Sequence, residues 1–458
     1  MTSPSELLPA QRKAALLIGV HAYPDPAIGS RRMSELARHL CERGWQVDLI
    51  AQAGPFPRSG GELAPGVQRH DIELPDPLSR SVLRLLRRRK PAEQAPEPAQ
   101  AASQSTEGAA PAPPSTVARL IEWARFHYFR VTVCVDRYKR WSLHAARRLS
   151  ALSKTHRPAV IFASGPPFSP LAGAALVARL RRIPLIIDLR DPWLNWSAVL
   201  PRDYKGFRRN VDAVLERLCI RLAAHVVTTS QRLTQQLQQR YPKHATKIVT
   251  IRNGYEDNML MEPPQYSGRL TMLYAGTIYL NRNPLPFFEA LLNLRKSGRI
   301  DPQRIRVQFV GDCNYWENLD LRQWLRERQL DEIVSLRDPV PSSQVAELIR
   351  EANVLINFAQ KQHDSVPAKL FEQIASRRHV LLFTEADSES AIVAGNSAQV
   401  LRVDSDIAEI ETAICRLYAQ WVDGDTTPTI DDSYLANLGR RRANEHLERL
   451  LAFEHTAA

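Results

Sequence analysis

Short apolar runs alternate with segments of helical period along most of the chain. The run Ala14–Val20 leads through a loop rich in Pro, Gly and Asp to a helical stretch from Ser30 to about Arg43, then to a second run at Gln46–Ala51. Met33, Leu36, Ala37 and Leu40 recur at helical spacing and Ser30 is a suitable cap, so this opening reads as a parallel β-α-β unit. The alternation resumes with strands at Ala159–Ala163, Pro184–Leu189, His225–Thr228 and Lys247–Ile251, closing at Asn253-Gly254. Helices at Ser169–Leu180, Gly206–Leu222 and Gln231–Tyr241 separate them. A Pro-containing connection, Glu262–Gly268, precedes a second series. Its strands are Leu270–Ala275, Arg304–Val310, Ile333–Leu336, Val354–Phe358 and Val380–Phe383. Its helices are Pro284–Lys296, Leu319–Arg328, Ser342–Glu351 and Pro367–Ser376. The pattern predicts an α/β protein with two doubly wound, Rossmann-like domains facing across a cleft, and ligands at the carboxyl ends of the strands. The expected boundaries are residues 1–260 and 268–430, followed by a C-terminal helix over 431–458.

The first series is interrupted. Residues 91–115 are rich in Pro, Ala and Gln and hold no aromatic, Ile, Leu or Val. Such a segment cannot bury enough apolar surface to offset its ordering entropy, which predicts disorder. Basic helices are predicted on either side, over Pro77–Lys90 and from Val117 to about Leu152. The second carries Trp123, Phe126, Tyr128, Phe129, Tyr138 and Trp141 among many arginines, a pattern that suits an anionic membrane surface or a helix packed on a core. The uncharged stretch Pro158–Ala178 is long enough to span a bilayer, but Gly165, Pro166, Pro167 and Pro170 make it strand, turn and helix.

Composition sharpens the division. The 458 residues suit two domains and a linker, and 44% apolar with 24% charged residues is the balance of a soluble globular protein. Five scattered cysteines without a C-x-x-C spacing argue against a disulfide framework or a cysteine-rich zinc site. Glu6 and Pro9 precede any apolar run, so no secretory signal is read, and a cytoplasmic protein is expected. The net charge of +12 is uneven: residues 1–266 carry 39 Lys and Arg against 22 Asp and Glu, and residues 267–458 carry 22 against 27. A basic half fits nucleic acid, anionic lipid or a phosphorylated substrate. No nucleic-acid recognition motif accompanies it, so no nucleic-acid partner is expected.

Two segments join a strand to a helix N-terminus, where unpaired N–H groups and the helix dipole favour phosphate. One is Tyr23–Arg31, with Gly29 and Ser30 at the helix start and Arg31 and Arg32 beside it. The other is Asp364–Glu372, in which Lys369 and Glu372 stand three apart and share a helix face.

In order and spacing these segments resemble the GT-B fold of the family 4 glycosyltransferases, which are nucleotide-sugar-dependent and retaining. The matching pieces are Gly29-Ser30-Arg31, Ser164-Gly-Pro-Pro-Phe-Ser169, Asp188-Leu-Arg190-Asp191-Pro-Trp193, Thr229-Ser230 and Asn253-Gly254. Tyr274-Ala-Gly276-Thr277, Phe309-Val-Gly311-Asp312 and Pro367-Ala-Lys369-Leu-Phe-Glu372 continue the series. They cover nearly the whole chain outside residues 78–116, and the last looks like the subgroup with a Pro-Ser/Ala-Lys-Leu-Phe-Glu motif. The resemblance implies that Glu372 holds the donor's ribose hydroxyls and that Asp364, where the family usually has Glu, contacts the transferred sugar. It implies that Arg282 neutralises the diphosphate, with Lys369 supplying the charge that many members draw from an Arg at the position of Thr277. Gly29, Ser30, Gly276, Thr277, Ser365 and Val366 would border the donor, and Ser164, Asp188, Arg190 and Asp191 the acceptor. The implied partners are a nucleotide-sugar donor, a glycan or lipid-linked acceptor, and an anionic membrane on whose inner face the protein is peripheral. No metal and no cofactor beyond the co-substrate are implied. The alternatives are a GT-B sugar-nucleotide epimerase and a catalytically silent nucleotide-sugar-binding protein.

Overall fold

A computed structural model describes residues 13–56, 62–75, 136–194 and 206–453, apart from 263, 265–267, 280, 396 and 426. The expected disordered segment 91–115, the helix Pro77–Lys90 and residues 117–135 of the long helix lie outside the described residues. In the N-terminal part the order is β1 (Ala14–Ile18), α1 (Ile28–Glu42), β2 (Gln46–Gln52), β3 (Val67–Ile72), α2 (Lys139–His156) and β4 (Val160–Gly165). It continues with α3 (Ser169–Arg181), β5 (Leu185–Leu189), α4 (Phe207–Leu222), β6 (His225–Thr228), α5 (Gln231–Arg240) and β7 (Ile248–Thr250). These strands form one parallel sheet ordered β3-β2-β1-β4-β5-β6-β7. β1, β4 and β5 are buried along their whole length, which is why they read as unbroken apolar runs. Alternate residues serve opposite faces: Leu16, Ile18 and Ile161 pack under α2 to α5, while Ala15, Leu17 and Phe162 pack under α1.

The second sheet follows the same plan. Its elements are β8 (Leu270–Ala275), α6 (Leu285–Lys296), β9 (Ile305–Val310), a short hairpin β10 (Tyr315–Trp316) with β11 (Leu319–Asp320), α7 (Leu321–Glu327), β12 (Val334–Arg337) and α8 (Ser342–Glu351). Then come β13 (Val354–Phe358), α9 (Ala368–Ala375), β14 (His379–Phe383), α10 (Glu389–Ala394), β15 (Val400–Val403) and α11 (Ile407–Val422). The parallel order β12-β9-β8-β13-β14-β15 places a switch point between β8 and β13, as β1 and β4 do in the first sheet. The predicted helix Leu319–Arg328 is thus a hairpin arm followed by a shorter helix. Fully buried Phe287, Phe288, Phe309, Phe358 and Phe383 form the floor of this domain, each burial contributing roughly 1.5–3 kcal/mol.

The two predicted features that differ most in placement are both helices. Tyr138 and Trp141, whose segment suited either a membrane surface or a helix packed on a core, lie in the core at 6% and 0% exposure. The Trp141 indole N–H donates to Ile72 O at 2.9 Å, so α2 ties down the edge strand β3 instead. The expected C-terminal helix is two helices, α12 (Asp432–Asn437) and α13 (Arg440–Leu451). Leu447 and Leu451 of α13 enter the N-terminal core, and Glu448 accepts from His39 of α1 at 2.8 Å and from the Trp45 indole at 3.2 Å. The chain therefore returns to its first domain, crossing the cleft a second time. Among the described residues no helix is long and apolar enough to cross a membrane.

Candidate active site

The carboxyl ends of β8 and β9 and the turn after β12 open into a cavity of about 240 Å³. Leu273, Val310, Val340, Val345, Ile349 and Leu355 give it an apolar wall, and Gly276, Thr277, Asp312, Lys369 and Glu372 a polar rim. The rim is built on close backbone packing. Gly311 takes φ +136°, and a Cβ there would collide with the carbonyl oxygen of Gly276. Tyr274 stands on the rings of Phe309 and Phe358, with centroids 5.2 and 5.1 Å away, and its hydroxyl donates to Thr277 O at 2.9 Å. Burial pushes that phenol up to about 12, so it stays a donor at neutral pH. Lys369 Nζ donates to Ala275 O at 2.7 Å and Arg282 Nη1 to Thr277 O at 3.1 Å, the latter guanidinium lying 4.4 Å from the Tyr279 ring centroid. The aromatic floor thus holds the Gly276-Thr277 turn, and two cations close over it.

The N-terminal domain meets this rim with the start of α1. Asp25 orders the approach by accepting from Ala27 N at 2.9 Å and pairing with His21 Nδ1 at 2.6 Å. At Gly29 a Cβ would meet the Arg190 guanidinium, which packs there while donating to the carbonyls of Gly165 and Pro166. Successive helical residues point about 100° apart, so Arg31 and Arg32 part company. Arg31 Nη1 reaches Glu372 Oε1 at 2.6 Å in the opposite domain. Arg32 turns inward to Asp188, with Nη2 to Oδ1 at 2.9 Å, and both side chains are at most 5% exposed. Ser164 Oγ donates to Asp188 Oδ2 at 2.7 Å. Asp188 and Ser164 are therefore enclosed in the domain's framework, whereas Asp191 stays partly exposed. Burial raises the Asp191 carboxyl above its ordinary range and Arg190 opposes the shift.

Of the donor-side residues read from sequence, Gly276, Thr277, Lys369 and Glu372 come together in the cavity, with Arg282 attached through Thr277. Gly29 and Ser30 reach it through Arg31. Asp364, Ser365 and Val366 do not line it. Asp364 faces α5, where Gln236 Nε2 donates to its Oδ1 at 2.9 Å and Arg232 Nε lies at 3.4 Å. Two features had escaped the sequence reading. The segment Ser342–Glu351 was read only as a helix, although the Asp338-Pro-Val-Pro341 turn after β12 signals a strand end opening on a site. Glu389, 0% exposed, accepts from the backbone N–H of Arg232 at 2.5 Å and pairs with Arg252 at 3.3 Å, capping α5 from the other domain. The chain's two Asp-x-Asp triplets, 404–406 and 423–425, bracket α11 and do not line the cavity.

Residues 29–254 match the family model of a glycosyl transferase 4-like domain. That match is the N-terminal domain, just under half of the chain. A sequence search of curated proteins finds no match. The whole two-domain arrangement is shared with solved GT-B structures. Sucrose-phosphate synthase from Thermosynechococcus elongatus superposes with a TM-score of 0.59 at 13% identity, covering 98% of this chain and 100% of that one. HepE from Anabaena, solved with UDP, gives 0.59 at 12% identity over 96% and 100%. The lipopolysaccharide outer core galactosyltransferase WaaB gives 0.57 at 11% over 97% and 100%. At these identities the likeness establishes the GT-B fold, and with the glycosyl transferase 4-like domain it supports a transferase.

Proposed function

We propose that this chain moves a sugar from a nucleotide-sugar donor to a glycan or lipid-linked acceptor with retention of anomeric configuration. The observation that carries the reading is the cavity of the C-terminal domain, whose one wall is apolar and whose rim places Glu372 and Lys369 opposite the start of α1. The apolar slot suits a base, Glu372 suits ribose hydroxyls, and Lys369 with Arg282 suits a diphosphate. Breaking the sugar–phosphate bond leaves its electron pair on the phosphate, and fixed cations there stabilise the transition state. The HepE structures hold UDP and UDP-glucose, which is consistent with a nucleotide-sugar here. Asp191 and Arg190 are the acceptor-side residues of this reading. Thermal unfolding with UDP-, GDP-, ADP- and CMP-sugars tests it. One donor at about a hundred times its Kd should contribute about 2.7 kcal/mol and raise the midpoint by several degrees. No shift with any nucleotide-sugar would sink the reading.

The acceptor's membrane partner is argued from a different surface. Leu143, Leu176, Leu180 and Phe207 are 58–71% exposed on α2, α3 and the start of α4, which lie on one face of the N-terminal sheet. Arg147, Arg148, Arg179, Arg181 and Arg209 belong to the same helices. Exposed leucines among arginines suit anionic headgroups at the cytoplasmic leaflet, each cation contributing about 1 kcal/mol near the surface. Flotation with anionic vesicles is expected to retain the protein at low salt and release it as salt rises. The paired change Leu176→Ser with Leu180→Ser should weaken retention about tenfold. Equal binding to neutral and anionic vesicles would remove the electrostatic account.

A further inference from the structure

Arg31 is placed to do more than bridge the cleft. It stands one turn into α1, its Nη1 lies 2.6 Å from Glu372 Oε1, and the two side chains remain 40% and 30% exposed. The other cations near the cavity are committed to backbone of their own domain: Lys369 to Ala275 O and Arg282 to Thr277 O. Among the described residues Arg31 has Glu372 as its one hydrogen-bond partner. That partner is the carboxylate assigned to the ribose hydroxyls, so a bound nucleotide would compete for it. The start of α1 is also open to an anion. Its first turn holds no acidic residue and no side-chain cap, and the Ser30 hydroxyl, 1% exposed, has no partner.

We propose that Arg31 exchanges Glu372 for the donor's diphosphate. In the empty cleft the guanidinium neutralises the carboxylate and holds the domains together. When ribose hydroxyls take over Glu372, Arg31 turns to the phosphate oxygens, which its planar fork can meet in pairs. The N-terminal domain thereby supplies a third cation to a rim that has two of its own. The exchange also couples donor binding to the facing of the two domains, because the same side chain closes the cleft in both states.

This inference rests on the donor-site reading, and titration calorimetry separates the two. The full-length wild type, Arg31→Ala and Arg31→Lys would each be titrated with UDP, GDP, ADP and CDP and with the corresponding nucleosides. The diphosphate that binds wild type best is expected to bind Arg31→Ala at least tenfold more weakly and Arg31→Lys in between. Its nucleoside, which displaces Arg31 from Glu372 without offering a phosphate, should bind Arg31→Ala at least as tightly as wild type, which also reports an intact fold. Alanine binding the diphosphate as tightly as wild type, or more tightly, would overturn the exchange and leave Arg31 a simple cleft ion pair. An equal loss for nucleoside and diphosphate would also overturn it, assigning Arg31 to holding Glu372 in place. If wild type binds no diphosphate, the donor-site reading itself fails and takes the exchange with it.

Discussion

Replacing Arg32 with alanine is expected to destabilise the N-terminal domain by about 3–5 kcal/mol. The residue donates to both carboxylate oxygens of Asp188 and to the carbonyls of Ile251 and Arg252, joining α1, β5 and the strand end after β7. Asp188 is 0% exposed, and after the substitution only the Ser164 hydroxyl would remain on it. An uncompensated buried carboxylate either stays charged at large desolvation cost or takes a proton, and both outcomes favour unfolding. Calorimetry should show the first domain's midpoint falling by about 10 °C. Arg32→Lys should fall between wild type and alanine, because it keeps the charge and loses the fork. The double change Arg32→Met with Asp188→Leu should recover much of the loss, since removing both partners leaves no orphaned charge. A loss under about 1 kcal/mol in the alanine variant would mean that water reaches Asp188 and that the pair is not a buried one.

The adjacent positions 31 and 32 show where a sequence stops being legible. Both arginines stood at the helix start and both looked available to a phosphate. Their different fates depend on which side of α1 faces the sheet, and the partners lie 341 and 156 residues away. Strands that are covered on both faces were easy to read, since Leu-Ile-Ile or Val-Leu-Ile runs admit few other structures. Strand β3 was missed because Val67–Ile72 is a polar, half-exposed edge with almost no apolar signal. The second helix of the C-terminal segment carries an ordinary apolar stripe, which says that α13 packs but not that it packs on α1.

Charge was legible as an imbalance and acquired its meaning only from the fold. Arg31, Arg232 and Arg252 of the basic half meet Glu372, Asp364, Asp387 and Glu389 of the acidic half across the cleft. Part of the asymmetry is therefore complementarity between domains rather than attraction to an outside partner. Glu389 is the most enclosed of these carboxylates, at 0% exposure against a 31% exposed Arg252, and the Arg31 pair is among the more exposed. Enclosure favours a fixed contact at Glu389, and exposure leaves Arg31 able to exchange partners.

Glu372→Ala and Lys369→Ala are expected to impair the same reaction in opposite kinetic terms. The ribose is remote from the bond that breaks, and its hydroxyls hold the same positions in ground and transition states. A carboxylate that binds them contributes uniform binding, so its loss should raise KM for the donor and spare kcat. Two hydrogen bonds to a charged group contribute about 1.5–3 kcal/mol each, which corresponds to roughly a hundredfold or more in KM. Lys369 faces the turn Ala275-Gly276, where phosphate charge would grow as the bond breaks. Its loss should lower kcat by about 10²–10³, as removing one preorganised donor to a developing oxyanion does. Glu372→Gln keeps the shape and releases Arg31, so it separates the carboxylate's charge from its size. Initial rates over a range of donor concentrations distinguish these effects. A Glu372→Ala variant that loses kcat with KM unchanged would move that carboxylate from the ribose to the reacting sugar. Unchanged kcat in Lys369→Ala would leave the diphosphate to Arg282 and the α1 side of the cleft.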